Sequence, residues 1–378
     1  MKYRFDQIAF NSTAKKSPTE ADKEHYIGLE HIDSQCLEIT RWGSEVAPIG
    51  DKLIMKKGDV LFGKRRAYQR KLAISPFDGI FSAHGMVLRP KEDVVDKDFF
   101  PFFMSSDIFM ERAVQISVGG LSPTINWKDL REQEFDLPPL EEQKVLAEKL
   151  WAAYRLKQAY KRLLVATEDM VKSQFIEMFG NPGTNDKGWE VVEMKTACLY
   201  ISDGSHYSPP ADATSSIPML SVKDMTNHGF LYSNCKHLSR NEYEKLCANG
   251  CKPLKDDVLV AKDGSYFKYI FPLEEEIEQA ILSSIAILRP NQEKITPRFL
   301  CEYLKNKDVL DIVERNYLTG TAIRRVILKG FKDIQIYLPP LSLQIEFETI
   351  YNQSDKSGFE LRKSIEAIDA VIKSLINN

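Results

Sequence analysis

The sequence predicts an α+β protein in which two similar mixed α/β domains are joined by a long antiparallel two-helix coiled coil, with a pseudo-two-fold internal repeat. Three observations predict this fold. The phrase DLPPLEEQ at 136–143 returns as YLPPLSLQ at 337–344, β-rich runs precede both copies, and a long helical pattern follows each. The chain has 378 residues, more than one ordinary core needs, which also favours two domains.

The repeat extends well beyond this one phrase. Because the further matches keep the same order along the chain, chance is a poor explanation, and the repeating unit is far longer than a solenoid repeat. The matches pair GDVLFGK at 58–64 with DDVLVAK at 256–262, MVLRP at 86–90 with AILRP at 286–290, and GGLSPTINWKDL at 119–130 with GTAIRRVILKGF at 320–331.

Each copy reads as the same series of elements. DVLF and DVLV are short β-rich runs, and MVLRP and AILRP are strands that a proline ends. Apolar residues at helical spacing predict one helix in KDFFPFFMSSDIFMERAV and one in TPRFLCEYLKNKDVLDIVERNY. A last strand then runs into Leu-Pro-Pro, where proline cannot supply a ladder donor and instead suits the start of a helix.

After each Leu-Pro-Pro the apolar residues recur with helical spacing. The first helix would span about 55 Å at 1.5 Å per residue, which suits a coiled-coil arm. The sequence therefore predicts domains at 1–139 and 181–340 and spacer helices at 140–180 and 341–378. The apolar stripes are Leu146, Leu150, Ala153, Leu156, Tyr160, Leu163, Ala166 and Met170 in the first helix, and Phe347, Ile350, Leu361, Ile365, Ile368, Ile372 and Leu375 in the second.

Composition and charge place the chain among ordinary globular proteins. The formal net charge is −3, which excludes a uniformly basic surface but leaves room for a local basic patch. MKYRFDQIAF lacks a signal-peptide core and no apolar run reaches membrane-spanning length, so we expect a cytoplasmic protein without a membrane partner. The residues Cys235, His237, Cys247 and Cys251 suit zinc chemically, but their spacing is unusual for a zinc finger, so we expect thiols and no metal.

Motifs for catalysis are missing from the sequence. Methyltransferases need a glycine-rich cofactor loop and an Asn/Asp-Pro-Pro-aromatic tetrapeptide. The nearest match, Ser208-Pro209-Pro210, is followed by Ala211 where an aromatic ring should stack. There is no phosphate-binding G-x-x-x-x-G-K-[ST] loop, and SDGSH at 202–206 lacks the G-x-S-x-G elbow. The sequence therefore predicts no catalytic residue and no bound cofactor.

Two loops at matching places in the repeat carry basic and hydrogen-bonding side chains. Crowded cations without interleaved acids indicate an anionic partner, and Arg and Gln can read guanine and adenine edges. The loops differ in residues, which suggests that the copies recognise unlike sequences. The candidate DNA-binding residues are Lys64, Arg65, Arg66, Tyr68, Gln69, Arg70 and Lys71 in the first copy, and His206, Lys262, Ser265, Tyr266, Lys268, Arg324 and Arg325 in the second.

Together these features resemble the specificity subunit of type I restriction-modification systems, over nearly the whole length of the chain. Besides the basic loop, the resemblance rests on YIGLEHID at 26–33, FDGIFSAHGMVLRP at 77–90 and EMFGNPGTNDKGWE at 177–190. It rests also on the two Leu-Pro-Pro-Leu phrases with their glutamines, Gln143 and Gln344.

The resemblance implies two target recognition domains, each reading half of a bipartite site in double-stranded DNA, and helices that fix the gap between the halves. It implies two methyltransferase (M) subunits and restriction (R) subunits as partners. These partners would carry base flipping, methyl transfer, ATP hydrolysis and cleavage, so the chain itself would be no enzyme. Two alternatives stay open, a stand-alone DNA methyltransferase and a structural coiled-coil adaptor. Cofactor binding by the isolated chain would favour the first, and protection of one DNA sequence by the assembled complex would exclude the second.

Overall fold

The protein is described by a computed structural model that covers residues 1–321 and 324–377. It forms two compact units. Unit 1 comprises Met1–Leu163 together with the described residues from Leu361 onward, and unit 2 comprises Leu164–Glu360.

Unit 1 contains short strands, a few short helices and the first part of one long helix. Its strands are β1 Lys2–Arg4, β2 Ala9–Ser12, β3 Lys15–Lys16, β4 Tyr26–Ile27, β5 Lys52–Met55, β6 Val60–Phe62, β7 Leu72–Ile74, β8 Gly79–Phe81, β9 Met86–Pro90 and β10 Glu134–Asp136. Its helices are α1 Phe5–Ile8, α2 Phe100–Ser105, α3 Asp107–Gln115 and α4 Trp127–Leu130. The long α5, Leu140–Phe179, begins in unit 1, and its residues from Leu164 onward belong to unit 2. Short 3₁₀ turns cover Glu20–His25, Leu29–His31 and Ala67–Gln69.

The strands of unit 1 form two four-stranded sheets and one two-stranded ribbon. One sheet has the order β2-β9-β6-β7 and is antiparallel throughout. The other has the order β3-β5-β8-β4, in which β4 and β8 run parallel. The ribbon pairs β1 with β10, so the start of the chain lies beside the strand that precedes the first Leu-Pro-Pro.

Unit 2 repeats this series with some additional strands. Its strands are β11 Glu190–Glu193, β12 Cys198–Asp203, β13 Ile217–Leu220, β14 Met225–Thr226, β15 Gly229–Phe230, β16 Lys236–Leu238, β17 Val258–Ala261, β18 Ile270–Pro272, β19 Ala280–Ile281, β20 Ile285–Pro290, β21 Leu318–Thr319, β22 Arg325–Val326 and β23 Gln335–Leu338. Its helices are α6 Met194–Ala197, α7 Arg240–Ala248, α8 Pro297–Lys305, α9 Lys307–Tyr317 and α10 Leu328–Asp333, and a 3₁₀ turn covers Val222–Asp224. The long α11, Leu341–Asn377, begins in unit 2, and its residues from Leu361 onward belong to unit 1.

The sheet order of unit 2 follows that of unit 1. The sheet β12-β20-β17-β18 corresponds to β2-β9-β6-β7, and the ribbon of β11 with β23 corresponds to that of β1 with β10. The register agrees as well, because Val60 lies opposite Leu88 in unit 1 and Val258 lies opposite Leu288 in unit 2. The predicted internal repeat is therefore present in the strand topology.

The structure corrects the prediction of one helix at 97–114 and one at 296–317. Each stretch forms two helices, which meet at Ser106 in unit 1 and at Asn306 in unit 2. Both residues have extended backbone, and each side chain accepts a hydrogen bond from an amide of the following helix. Ser and Asn favour this capping role over the interior of a helix, so they end one helix and start the next.

Aromatic side chains fill the main core of each unit. In unit 1, Phe5, Phe103 and Phe135 all lie within about 6 Å of the ring of Phe109, measured between ring centroids. In unit 2, the rings of Phe175 and Phe299 stack with centroids 5.4 Å apart. Edge-to-face and offset contacts of this kind add to the free energy gained from burying the rings.

Both units contain a pair of helical segments, one from α5 and one from α11. In unit 1, Lys157 of α5 forms an ion pair with Asp369 of α11. In unit 2, Phe175 of α5 packs against Phe347 of α11, while Ser354 Oγ of α11 donates to the Thr167 carbonyl of α5. Within unit 2 the two segments therefore run antiparallel.

The predicted apolar stripe is only partly buried. Leu150 and Phe347 are fully enclosed, whereas Leu156 and Met170 each keep 46% of their surface exposed. A long helix that covers a domain with one face leaves the rest of its surface in solvent, which a simple spacing pattern does not show.

A buried glutamine connects the start of α5 to the rest of unit 1. The Gln143 side-chain oxygen accepts a hydrogen bond of 2.9 Å from the Asp96 amide. Its Nε2 donates to the carbonyls of Val94, at 3.1 Å, and Pro138, at 2.8 Å. Because Gln143 is buried, these three backbone groups have little access to water, and the amide satisfies all of them.

Unit 2 contains the same arrangement at Gln344. Its side-chain oxygen accepts from the Thr296 amide at 2.9 Å, and Nε2 donates to the carbonyls of Lys294, at 3.0 Å, and Pro339, at 2.9 Å. The glutamine common to the two repeated phrases is therefore a structural tie. It holds the Leu-Pro-Pro turn against the loop that follows β9 in unit 1 and β20 in unit 2.

A buried carboxylate and an arginine form a second repeated contact. Arg89 donates through Nε and Nη2 to the two oxygens of Asp59, at 2.6 and 2.8 Å. Arg289 makes the same two bonds with Asp257, both at 2.8 Å. These bidentate pairs join the strand that ends in Arg-Pro to the turn before β6 or β17.

Replacing Gln143 with Met should destabilise unit 1 by about 3 kcal/mol or more, because two carbonyls and one amide lose their partner in a buried place. Met keeps the size of the side chain, so the loss would report the hydrogen bonds. Urea unfolding followed by fluorescence measures the change. The control is Gln115→Met on the exposed surface of α3, which should change stability by no more than about 0.5 kcal/mol. Equal stability of the two variants would contradict the assigned role.

Candidate nucleic-acid interface

The basic loop of unit 1 is a tight connection between β6 and β7. The Gly63 amide donates to the Lys71 carbonyl at 2.9 Å, which closes the loop at its base. A 3₁₀ turn at Ala67–Gln69 forms its tip. The tip therefore presents Tyr68 to solvent, with 54% of that side chain exposed.

A second segment of unit 1 supports this loop along one side. The Ile125 amide donates to the Lys64 carbonyl at 2.9 Å, and the Arg66 amide donates to the Pro123 carbonyl at 2.7 Å. The two segments therefore pair like short antiparallel strands. This pairing holds the backbone of Arg65 in place while its side chain points into solvent.

Arg65 and Arg66 are the exposed cations of this loop. Arg66 Nε and Nη2 both lie 3.2 Å from the Ser122 hydroxyl of the supporting segment. One neutral hydroxyl leaves most of the guanidinium's five donors available. Gln69, at the tip, is half-buried.

Arg70 and Lys71 are engaged within unit 1. Arg70 forms a 2.6 Å ion pair with Asp107, whose other oxygen contacts Lys373 at 3.1 Å. Hydrogen bonds from Arg70 and then from Lys373 hold the pKa of Asp107 below its usual range. Lys71 Nζ donates to the Leu29 carbonyl at 2.6 Å. Both side chains therefore hold the base of the loop in this structure.

The equivalent loop of unit 2 has the same backbone pairing. The Val326 amide donates to the Lys262 carbonyl at 3.3 Å, and the Gly264 amide donates to the Arg324 carbonyl at 2.9 Å. These bonds correspond to those that Lys64 and Arg66 make in unit 1. The alignment of GGLSPTINWKDL with GTAIRRVILKGF therefore reflects a shared backbone frame, by which we mean the start of the basic loop together with the segment hydrogen-bonded to it. Ala322 and Ile323 lie outside the described residues.

The side chains on the second frame are differently arranged. Lys262 is buried and its ammonium forms an ion pair with Asp203, while His206 Nε2 lies 3.5 Å from the same carboxylate oxygen. Tyr266 donates to Glu314 at 3.2 Å. Ser265 is half-buried.

The exposed basic residues of this frame are Lys268, Arg324 and Arg325. Lys268 Nζ lies 5.1 Å from the centroid of the Tyr269 ring, within cation–π distance. Arg325 belongs to β22, next to the loop in the paired segment. Lys268 lies within the loop and both arginines lie in the segment paired with it, whereas Lys262, at the start of the loop, is neutralised by Asp203.

The two paired loops share one left-handed backbone position but carry different residue types there. Arg66 has φ +57°, in the left-handed region, and the matching residue of unit 2 is Gly264, with φ +69°. A side chain in this region costs roughly 1–2 kcal/mol, which glycine avoids. An arginine that carries this cost and stays exposed is a candidate for function rather than for stability.

No cluster of three or more possible metal ligands occurs within residues 1–321 and 324–377. Cys235 Sγ lies 3.9 Å from His237 Nε2, and the cysteines described are free. Ser205 of the SDGSH stretch donates its hydroxyl proton to the Tyr207 carbonyl at 2.6 Å, as in a local turn. Over the described part of the chain, no helix is both long and apolar enough to cross a membrane.

Sequence patterns did not show the acidic partners of the basic residues. Asp107 follows the helix break at Ser106, and Asp203 ends β12, each far along the chain from the cation it contacts. Pairing of this kind depends on tertiary contacts.

Comparison with known proteins supports one assignment. Residues 13–163 match the family model described as the type I restriction modification DNA specificity domain. The specificity subunit of the type I restriction enzyme EcoDI from Escherichia coli is 30% identical over 142 residues. That alignment covers 37% of this chain but only 31% of the EcoDI subunit. A putative MjaX specificity subunit from Methanocaldococcus jannaschii is 28% identical over 389 residues, which cover 92% of this chain and 84% of that relative.

Solved structures of low sequence identity share the fold. The S subunit of a type I restriction-modification system from M. genitalium matches with a TM-score of 0.60 and 13% identity, covering all of this chain and 94% of that one. A chain from a structure on complex assembly and conformational transition of the type I R-M system matches with a TM-score of 0.53 and 18% identity, covering 100% and 96%. We conclude that residues 13–163 match a type I restriction modification DNA specificity domain, and that over most of its length the chain is similar to a putative specificity subunit of such a system and shares the fold of solved type I subunits.

Proposed function

We propose that this chain selects the DNA sequence on which a type I restriction-modification complex acts, and that each unit reads one half of a bipartite target. One observation carries the proposal. The same backbone frame occurs in both units, at Lys64–Arg66 with its partner segment and at Lys262–Gly264 with its own, but the exposed side chains differ. A shared frame with unlike side chains fits two readers of unlike sequences.

The exposed side chains on the first frame suit DNA. Arg65 and Arg66 can pair bidentately with guanine in the major groove or with phosphate oxygens, and Gln69 can pair with adenine. Tyr68 adds an exposed aromatic ring at the tip of the loop. Since the chain has a net charge of −3, this cluster is a local feature and not part of a generally basic surface.

In the second unit we assign the reading role to exposed residues around the loop. Lys268, Arg324 and Arg325 offer the charge, and the exposed His206 adds a hydrogen-bonding group, with the half-buried Tyr266 beside the loop held by Glu314. Lys262, although predicted to contact DNA, has its ammonium bound to Asp203. We propose that this buried pair positions the loop.

We further propose that α5 and α11 form an antiparallel two-helix spacer between recognition domains. Each unit on its own supports this, because each contains a packed pair of α5 and α11 segments. Under this proposal the division into recognition domains at 1–139 and 181–340 and spacer helices at 140–180 and 341–378 is also functional.

The same helices offer surface for partner subunits. Apolar side chains recur along their exposed surface, and apolar surface of this kind marks a contact site where it forms a contiguous patch. We propose that two methyltransferase (M) subunits dock here and that restriction (R) subunits join the complex, supplying all catalysis. The exposed residues concerned are Val145, Leu156 and Val371 in unit 1 and Val165, Met170, Ile176 and Phe359 in unit 2.

Exchange of residues 1–139 for the equivalent block of a relative should change one half of the methylated target and leave the other half unchanged. The seam lies before Leu140, so both long helices keep their own sequence. Mapping of methylated adenines in cells that express the chimera with its M subunits measures the outcome. A change in both halves would refute separate reading, and methylation without any sequence preference would refute the specificity role altogether.

Substitution of Arg66 by Gly should weaken DNA binding but leave the fold at least as stable. Glycine relieves the left-handed backbone and should raise the free energy of unfolding by up to about 1 kcal/mol. Loss of a base contact should weaken binding of the cognate duplex by about 1–3 kcal/mol. Loss of a phosphate contact should instead lower the magnitude of the slope of log K against log salt concentration by about one. Lys97→Gly, well away from the loop in sequence, serves as the control for loss of a surface charge. Unchanged affinity at every salt concentration would remove Arg66 from the interface.

Lengthening both helices by four residues should shift the preferred gap between half-sites by one or two base pairs. Four residues add about 6 Å, against about 3.4 Å per base pair, and nearly complete one helical turn. The insertions belong between residues 163 and 164 and between 360 and 361, where one compact unit ends. Two-residue insertions are the matched control, because they turn the helix by about half a turn and should abolish methylation. Selection of the original gap by the four-residue variant would refute the proposal that the two helices set the distance between the half-sites.

A further inference from the structure

Unit 1 contains an open cleft of about 410 Å³ beside the basic loop. It lies between the end of β2, the start of β3 and the segment that pairs with the loop. Its lining includes no Asp or Glu. The polar residues that line it are Asn11, Ser12, Thr13, Lys15, Lys64 and Asn126.

The two lysines of this cleft lack an acidic partner. Within residues 1–321 and 324–377, neither Lys15 nor Lys64 forms an ion pair. Lys16, which directly follows Lys15, pairs with Asp22. Lys64 is half-buried, and burial first and Lys15 second lower its pKa. Lys15 is exposed, and the repulsion between the two cations that line one cleft is offset when an anion binds between them.

At the matching position of unit 2, the positive charge of the lysine is neutralised by a carboxylate. The strand registers match, because Ser12 lies opposite Val87 and Ser202 lies opposite Ile287. The next residue is Thr13 in unit 1 and Asp203 in unit 2. Asp203 binds the ammonium of Lys262, and both side chains of that pair are more than nine-tenths buried.

The two units therefore differ in whether a carboxylate neutralises the lysine at one matching position. Lys262 and Lys64 occupy the same position in the shared frame, since each accepts a hydrogen bond through its carbonyl from the paired segment. In unit 2 a carboxylate neutralises this lysine. In unit 1 a threonine stands in the place of that carboxylate, and Lys15 adds a second positive charge.

We propose that the cleft between Lys15 and Lys64 binds one backbone phosphate of the DNA half-site read by unit 1, and that unit 2 lacks this phosphate site because Asp203 occupies its lysine. The inference rests on the proposed DNA-reading function. DNA is the occupant favoured by position, because Lys64 directly precedes the exposed Arg65 and Arg66, and Asn126 directly follows the segment that pairs with them. The hydroxyls and amides of the cleft can donate further hydrogen bonds to phosphate oxygens.

The test copies the residue of unit 2 into unit 1. Thr13→Asp should pair with Lys64 and fill the cleft with negative charge, and Thr13→Asn is the matched neutral control. In the complex reconstituted with its M subunits, binding of a fluorescent duplex carrying the methylated target is measured from low to high salt. The slope of log K against log salt concentration should fall in magnitude by about one for Thr13→Asp and for Lys64→Gln. It should stay unchanged for Thr13→Asn, because asparagine adds no charge and keeps a hydrogen-bond donor in place of the Thr13 hydroxyl. Thermal melting of each complex confirms that the variants are folded.

A second measurement locates the phosphate. Single neutral methylphosphonates are placed at each backbone position of the duplex, one per probe. One position, in the half-site that the exchange of residues 1–139 alters, should weaken binding by the wild type and have no effect on Thr13→Asp. If every position affects the two proteins equally, or if 10 mM inorganic phosphate raises the melting temperature of the wild type without DNA more than that of Thr13→Asp, the cleft binds a free anion and the proposal fails.

The two proposals fail in different ways. If the wild-type complex shows no preference for the methylated target over an unrelated duplex, the proposed function is wrong. If the wild type binds its target selectively but Thr13→Asp has the same salt slope, only the phosphate site is wrong.

Discussion

The rest of each unit depends on one buried amide, Gln143 in the first and Gln344 in the second. Its three hydrogen bonds join a Leu-Pro-Pro turn to the loop after the strand that ends in Arg-Pro. Because the long helix begins at this turn, the amide fixes where the helix leaves the sheet. A side chain of another shape would leave buried backbone groups without partners, which explains why the same residue stands at this place in both copies.

The two units share this backbone arrangement but differ in the side chains at their basic loops. The paired segments that hold each basic loop use the same backbone hydrogen bonds, so the frame tolerates exchange of exposed residues. In unit 1, Arg66 has a left-handed backbone, and Lys15 and Lys64 form no ion pair with any residue that the structure describes. In unit 2, Gly264 stands at the position of Arg66, and Lys262 forms a buried pair with Asp203. The backbone thus accounts for a common mode of presentation, and the side chains account for a difference in what each unit can bind.

Much of the fold could be predicted because local signals agreed with the tertiary structure. The repeated strands, the prolines that end them and the starts of both long helices all follow from residues close together in the sequence. The helices broken at Ser106 and Asn306 were missed, because apolar spacing continues through both breaks while a single capping side chain decides them. The candidate DNA-binding residues remain predictions, and the structure separates them into exposed side chains such as Arg65 and engaged ones such as Arg70.

The sequence by itself determined that this protein is a duplicated α+β chain with long helices and no recognisable catalytic motif, since repeats, periodicity and motifs are properties of neighbouring residues. Only the tertiary structure decided which charges are available. Asp107 reaches Arg70, Asp203 reaches Lys262, and no carboxylate among the described residues reaches Lys64. The reason is physical: the state of a cation depends on what lies within a few ångströms, and those neighbours come from distant parts of the chain.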